Sequence, residues 1–140
     1  MIDVTEANAA LQEYFAPWVK ALRPEVTGIG PEGAVLEIPV TDELARFGGI
    51  VSGQALAALA DTAMVFACAG ALGRFAPVAT TNLDTQFLRP GTGETIRCEA
   101  HVVRAGKALI FCAATLTALP SGKAGATAQA TFYLADQGTE

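Results

Sequence analysis

Histidine is nearly missing from this chain, with one in 140 residues, and tryptophan is equally rare. One imidazole cannot complete a zinc site, and the three cysteines share no metal-ligand spacing, so no metal is implied. Charge is scarce as well. Only 16% of residues are charged, and their balance is −5. Duplex binding needs a basic face against phosphate, so the composition argues against nucleic acid as a partner. The opening residues, Met1 to Phe15, lack the basic and apolar regions of a secretory signal, which points to a cytoplasmic protein. There is no internal repeat, low-complexity tract or linker, and the length suits a single domain over residues 1–140.

Apolar residues are what the chain has in plenty, at 51%. That exceeds what one small core absorbs and points to a subunit interface. Ala55 to Leu72 is hydrophobic enough to resemble a membrane span, but Asp61 stands at its centre. An ionised carboxylate there costs on the order of 2.5–3.5 kcal/mol on insertion scales. The flanks read as strands of a soluble domain, so the run is expected to be a buried core helix, with no membrane as partner.

Leu11, Tyr14, Phe15, Trp18, Val19 and Leu22 follow helical spacing, with Thr5 as the expected cap. Pro17 breaks that pattern, so the helix is expected from about Thr5 to Phe15, with a loose turn after it. Val26 to Gly30 and Ala34 to Val40 read as two strands, joined by Pro31-Glu32-Gly33. A polar loop, Thr41 to Gly49, precedes Ser52 as N-cap of a helix over Gly53 to Leu72, with Gly73 as its stop. Four strands follow: Val78 to Phe87, Thr95 to Arg104, Leu109 to Leu119 and Ala124 to Leu134. Alternation in the second of them sends Ile96, Cys98, Ala100 and Val102 one way, and Arg97, Glu99 and His101 the other. Cys68, Cys98 and Cys112 are read as buried reduced thiols, with a Cys98–Cys112 disulfide as the less favoured alternative. A helix apolar nearly all round must be covered on most sides. A curved antiparallel sheet wrapped around it, with a second copy covering the remainder, gives an α+β hotdog fold.

From Gly53 to Leu72 the one charged residue is Asp61. Helix interiors seldom carry an unpaired carboxylate, because burying one is expensive, so Asp61 is a candidate catalytic group as much as a structural one. The glycine-bearing stretch Gly48 to Gly53 opens the same helix, whose free N–H groups and positive dipole end suit a developing oxyanion. Gly53 and Asp61 are eight residues apart, roughly 12 Å at 1.5 Å per residue. One carbonyl cannot lie within about 3 Å of both, so if both serve one reacting centre they come from different subunits.

Ser52 to Ala63, SGQALAALADTA, resembles the helix motif of the phenylacetate-degradation (PaaI-like) group of hotdog acyl-CoA thioesterases. Thr80 to Pro90, TTNLDTQFLRP, is similar to that group's first long strand, and Val102 to Lys107 to its hairpin. The match covers about residues 26–134. It implies hydrolysis of an acyl- or aryl-CoA thioester, with no cofactor beyond the CoA of the substrate. It implies Asp61 as the acid that attacks or activates water, Gly53 as oxyanion donor, and Thr80 as the orienting hydroxyl. A homodimer is the minimum unit, and a homotetramer, as a dimer of dimers, is expected. Arg89, Arg104 and Lys107 fall where the motifs meet CoA phosphates, with solvated surface charge an equally good reading. Independently of the resemblance, a buried Asp61 needs a hydrogen-bond donor to stay ionised, and Thr62 or Thr80 is expected to supply it, with Thr62 also a substrate-side candidate.

The chain also departs from the group. Ser52-Gly53-Gln54 stands where the family has His-Gly-Gly, and Arg46 stands where an Asn or Gln positions water. Ser52, Gln54 and Arg46 therefore enter as substrate-side candidates, Arg46 to bind a substrate carboxylate or to pair with Asp61. The same changes make a non-catalytic acyl-CoA binder the main rival. A hotdog dehydratase ranks lower, because it would pair a His with a carboxylate and His101 falls on the polar face of its strand.

Overall fold

The computed structural model describes residues 1–135. Helices α1 (Val4–Tyr14) and α2 (Pro17–Lys20) lead into strands β1 (Glu25–Gly30) and β2 (Gly33–Pro39). A 3-10 turn (Asp42–Leu44) and a two-residue hairpin, β3 (Ala45–Arg46) with β4 (Ile50–Val51), precede α3 (Gly53–Leu72). Strands β5 (Val78–Phe87), β6 (Thr95–Ala105), β7 (Leu109–Leu119) and β8 (Lys123–Leu134) complete the chain. One antiparallel sheet takes the order β1-β2-β6-β7-β8-β5, and α3 lies across it, chiefly on β2, β6 and β7. This is the hotdog fold that the sequence pattern predicts.

Alternation builds the core. Leu36 and Ile38 on β2, Ile96 and Cys98 on β6, Leu116 on β7 and Phe132 on β8 are buried against Leu59, Ala63, Met64 and Phe66 of α3. Small residues let the helix come close. Gly70 is pressed onto β1, where a Cβ would collide with the Gly30 carbonyl oxygen. Gly73, at φ 83°, ends α3 in the left-handed conformation expected of it.

Several local expectations need correcting. The cap of α1 is Asp3, not Thr5: its carboxylate accepts from the Glu6 N–H, and Glu6 accepts from the Asp3 N–H in return. Pro17 does not leave a loose turn but starts the short helix α2, because a proline at N1 forfeits no helical hydrogen bond. The loop from Thr41 to Gly49 is partly regular, and Gly48 and Gly49, at φ 86° and 72°, turn the β3–β4 hairpin. Cys98 lies opposite Leu116 rather than Cys112, and Cys112 sits instead 3.6 Å from Cys68, thiol to thiol. All three are free and buried, and burial pushes the Cys98 thiol up to about 12, so it stays protonated at neutral pH.

The two sheet edges are treated differently. Asn8 of α1 donates to the Val26 carbonyl (3.0 Å) and accepts from the Val26 N–H (2.9 Å), so its carboxamide mimics a neighbouring strand at that position of the β1 edge. Strand β5, ten residues long, forms the other edge and is exposed along most of its length. Leu83, Phe87 and Leu88 remain 38–53% exposed there.

The tight α3–β1 contact yields a stability prediction. Gly70→Ala should lower the free energy of unfolding by about 1–3 kcal/mol through overpacking. Helix propensity alone would raise it by about 1 kcal/mol. Urea unfolding followed by circular dichroism reads the sign directly.

Candidate active site

Helix α3 turns most of its surface to the sheet but leaves a stripe only half-buried: Ala57, Ala58, Asp61 and Val65. These positions repeat at three and four residues, so they share one face. Asp61 is thus on the side of the helix that its own sheet does not cover. Its carboxylate accepts a 2.9 Å hydrogen bond from the Thr80 hydroxyl of β5. Burial holds the Asp61 carboxyl above the usual carboxylate range, and the Thr80 hydrogen bond pulls the other way.

A β-bulge lets Thr80 face inward. The register of β5 on β8 shifts between Thr80 and Asn82, and the Thr81 hydroxyl donates to the Thr131 carbonyl at the irregularity. In an unbroken strand Thr80 and Phe87 would point to opposite faces, being seven residues apart. The extra residue switches the parity, so Thr80 meets Asp61 while the Phe87 ring meets Gly53, 3.3 Å from where a Cβ would stand. Thr85, between them, has a buried hydroxyl oxygen with no partner among the described residues.

The amino end of α3 is held firmly. Val51 N–H donates to Gly91 (2.9 Å), and Ser52 N–H to Leu44 (2.8 Å). The Ser52 hydroxyl accepts from the Ala55 N–H at 3.2 Å, as a cap should. Gly53 opens into a cleft of about 340 Å³, lined also by Arg46, Leu56, Phe87, Arg89 and Pro90. Arg89 is fixed by donating to the Ala124 carbonyl (2.8 Å), and the Arg46 guanidinium lies over the Phe47 ring, 5.1 Å from its centroid. A neighbouring cleft of about 330 Å³ shares Arg89 and Pro90 and adds Lys123.

The structure therefore sorts the predicted residues into two groups. Asp61 and Thr80 meet at one end of the sheet, and Arg104 and Lys107 are exposed at that same end, on the β6–β7 tip. Gly53, Ser52, Arg46 and Arg89 gather at the other end, with Gln54 exposed beside them. Arg46 does not pair with Asp61 within the chain. Of the two expected donors it is Thr80 that meets Asp61: Thr62 is buried, and its hydroxyl donates to the Ala58 carbonyl one turn back (2.8 Å). His101 is exposed on the outer sheet face with Asp84, Gln86 and Gln129, as its alternation predicts.

One feature beside Asp61 was not legible beforehand. A cavity of about 570 Å³ is lined by Tyr14, Phe15, Val65, Phe75, Pro77 and Val78, with Ala76. Tyr14 stacks on Phe75 (5.5 Å between centroids, 6° between planes), and Phe15 on Phe66 (5.5 Å). The signal in the sequence was the adjacent pair Tyr14 and Phe15, but periodicity assigns such residues to core.

A helix wrapped by one antiparallel sheet, with a half-buried acid on its uncovered side, defines a hotdog-type hydrolase architecture. The family model described as the thioesterase superfamily matches residues 48–124, and the chain belongs to that superfamily, whose general activity is thioester hydrolysis. Solved structures share the fold. A thioesterase family protein from Silicibacter pomeroyi has 24% identity over 92% of this chain and 95% of its own, with a TM-score of 0.82. The PaaI protein of the E. coli phenylacetic acid degradation operon has 22% identity over 94% and 92%, with a TM-score of 0.81. Zebrafish thioesterase superfamily member 2 has 24% identity over 94% and 95%, also at 0.81. No curated protein sequence matches the chain.

The opposed influences on Asp61 give a pH prediction. Thr80→Val removes the one group that lowers the Asp61 pKa, so any activity that needs the ionised acid should have its acid limb moved to higher pH. Thr80→Ser should restore the limb. Stability runs the opposite way: a carboxyl raised by folding binds more protons folded than unfolded, so stability falls as pH rises through the raised pKa. Asp61→Asn should remove that component of the fall, as thermal unfolding against pH would show.

Proposed function

We propose that the chain is a PaaI-like hydrolase that splits acyl- or aryl-CoA thioesters into free acid and CoA at two equivalent sites across a homodimer. The observation that carries this reading is the Thr80–Asp61 hydrogen bond on the uncovered side of α3. It leaves one acceptor oxygen of a desolvated carboxylate to attack the thioester carbonyl or to take a proton from water. Thr80 holds the acid's orientation. The Gly53 amide of the partner subunit supplies the oxyanion donor, since Ser52 already occupies the Ala55 amide and leaves the earliest amides of α3 for a ligand.

Two features support a dimer of this kind. The open β5 edge offers a ladder of unpaired backbone groups, and exposed Leu83, Phe87 and Leu88 lie along it. An antiparallel partner across a two-fold axis would also bring its Gly53 end to this subunit's Asp61 end. Arg46 and Arg89 of the partner would then join Arg104 and Lys107 around one site, giving CoA phosphates cations from both chains. A dimer of dimers would bury further apolar surface, and a cytoplasmic location accords with CoA thioesters as substrates. The likeness in fold to PaaI of the phenylacetic acid degradation operon favours aryl groups among the acyl classes.

The Ser52 hydroxyl is engaged as a cap, which favours a second reading: an acyl-CoA binder that does not hydrolyse. Thiol release across short, medium and aryl CoA thioesters separates the two, because a binder shows affinity without turnover on any of them.

Asp61→Asn should reduce kcat by at least about two orders of magnitude while preserving the fold. The shared site can be tested with Gly53→Pro. Proline suits the first helical position, and Ser52 already has the extended backbone (ψ 150°) that a residue before proline prefers; the Phe87 ring, 3.3 Å from where the Cβ would stand, must shift to admit it, so circular dichroism checks that the amide is removed without loss of fold. Each variant alone should be inactive. Refolding the two together should restore about a quarter of wild-type activity, since half the dimers are mixed and each has one intact site. Mixtures that stay inactive while mixed dimers form would rule out sites shared between subunits.

A further inference from the structure

We propose that the aromatic cavity at the end of α1 is the acyl pocket of the Asp61 site and that it selects a bulky, uncharged acyl group, aryl or medium-chain, over acetyl-sized or carboxylated ones. The inference rests on the hydrolase reading for its reacting centre but on separate residues for its content. Val65 stands one turn beyond Asp61 on the same half-buried stripe, roughly 6 Å along the axis. Val78 stands two residues before Thr80 on the same side of β5. The cavity they share therefore begins beside the carboxylate and continues past it, toward the close of α3 and the end of α1.

The lining fixes the chemistry. Its volume of about 570 Å³ falls within the roughly 300–1,000 Å³ of small-molecule sites. Tyr14 carries the one polar side-chain atom among the lining residues, and its hydroxyl is turned to Glu13 at the surface. Among the described residues no cation lines the cavity, and the acids beside its lining are Asp61 and Glu13, so a carboxylated acyl group would lose solvation and gain repulsion. Stacked rings of Tyr14 and Phe75 offer an aromatic group both area and favourable ring geometry. Tyr14 and Phe15 lie outside residues 48–124, so membership of the superfamily does not itself specify this wall.

The test uses non-hydrolysable thioether analogues of CoA carrying methyl, octyl or benzyl groups, with calorimetric binding as readout. The wild type should bind the octyl and benzyl analogues more tightly than the methyl one. Val65→Trp should fill the cavity and weaken the large analogues by about tenfold or more, while leaving CoA alone unchanged. Tyr14→Ala, at a position 65% exposed and so safe for folding, should weaken the same two ligands without touching CoA. Circular dichroism checks that both variants are folded. Equal affinity for all three analogues, or variants that bind each as the wild type does, would overturn the pocket. Turnover in parallel keeps the two ideas apart. Selective binding without hydrolysis retains the pocket and removes the hydrolase; hydrolysis indifferent to Val65→Trp does the reverse.

Discussion

A single hydroxyl-to-carboxylate hydrogen bond joins the central helix to the open edge of the sheet, and the rest of the site is organised around it. Asp61 is set on the side of α3 that the sheet leaves uncovered, so it is partly desolvated without being sealed. Desolvation raises its proton affinity, while Thr80 restrains that rise and fixes the carboxylate's direction. An acid fully exposed would be too weak a base, and one fully buried would stay protonated. The intermediate setting is a property of the fold: one sheet cannot enclose a helix by itself.

The incompleteness of that enclosure also explains the asymmetry of the two sheet edges. Evolution of a lone soluble subunit would be expected to blunt both. Here Asn8 satisfies the backbone of Val26 on the β1 edge from within the chain, whereas β5 keeps its outer backbone groups and apolar side chains open. The open edge is the one that carries Thr80, so the reactive pair and the unpaired ladder belong to the same strand.

Much of this was legible in the sequence because period and punctuation agree. The β5 to β8 strands and α3 fall within a residue or two of expectation, and Asp61 stands out as the one charge in an apolar helix. Features decided by tertiary contact were not legible. Asp3 outcompetes Thr5 as a cap because Glu6 reciprocates, and Thr62 turns inward because a helix carbonyl lies within reach. The partner of Cys112 is set by how α3 sits on β7, which no hairpin alignment reveals. The aromatic cavity escaped for a similar reason: Tyr14 and Phe75 are distant in sequence, and only the docking of α1 brings their rings together.

The irregularity at Thr81 has a consequence for how such a chain can change length. Along an extended strand, loss or gain of a single residue inverts the facing of everything beyond it. Deleting that residue would leave the ladder to β8 able to re-form yet send either the threonine hydroxyl or the Phe87 ring to the outside. Tips such as Ala105 to Ala108 are free to grow or shrink, but β5 obeys a counting rule. Descendants of this sequence should tolerate indels at the hairpins and, within that strand, only those that conserve odd-and-even order.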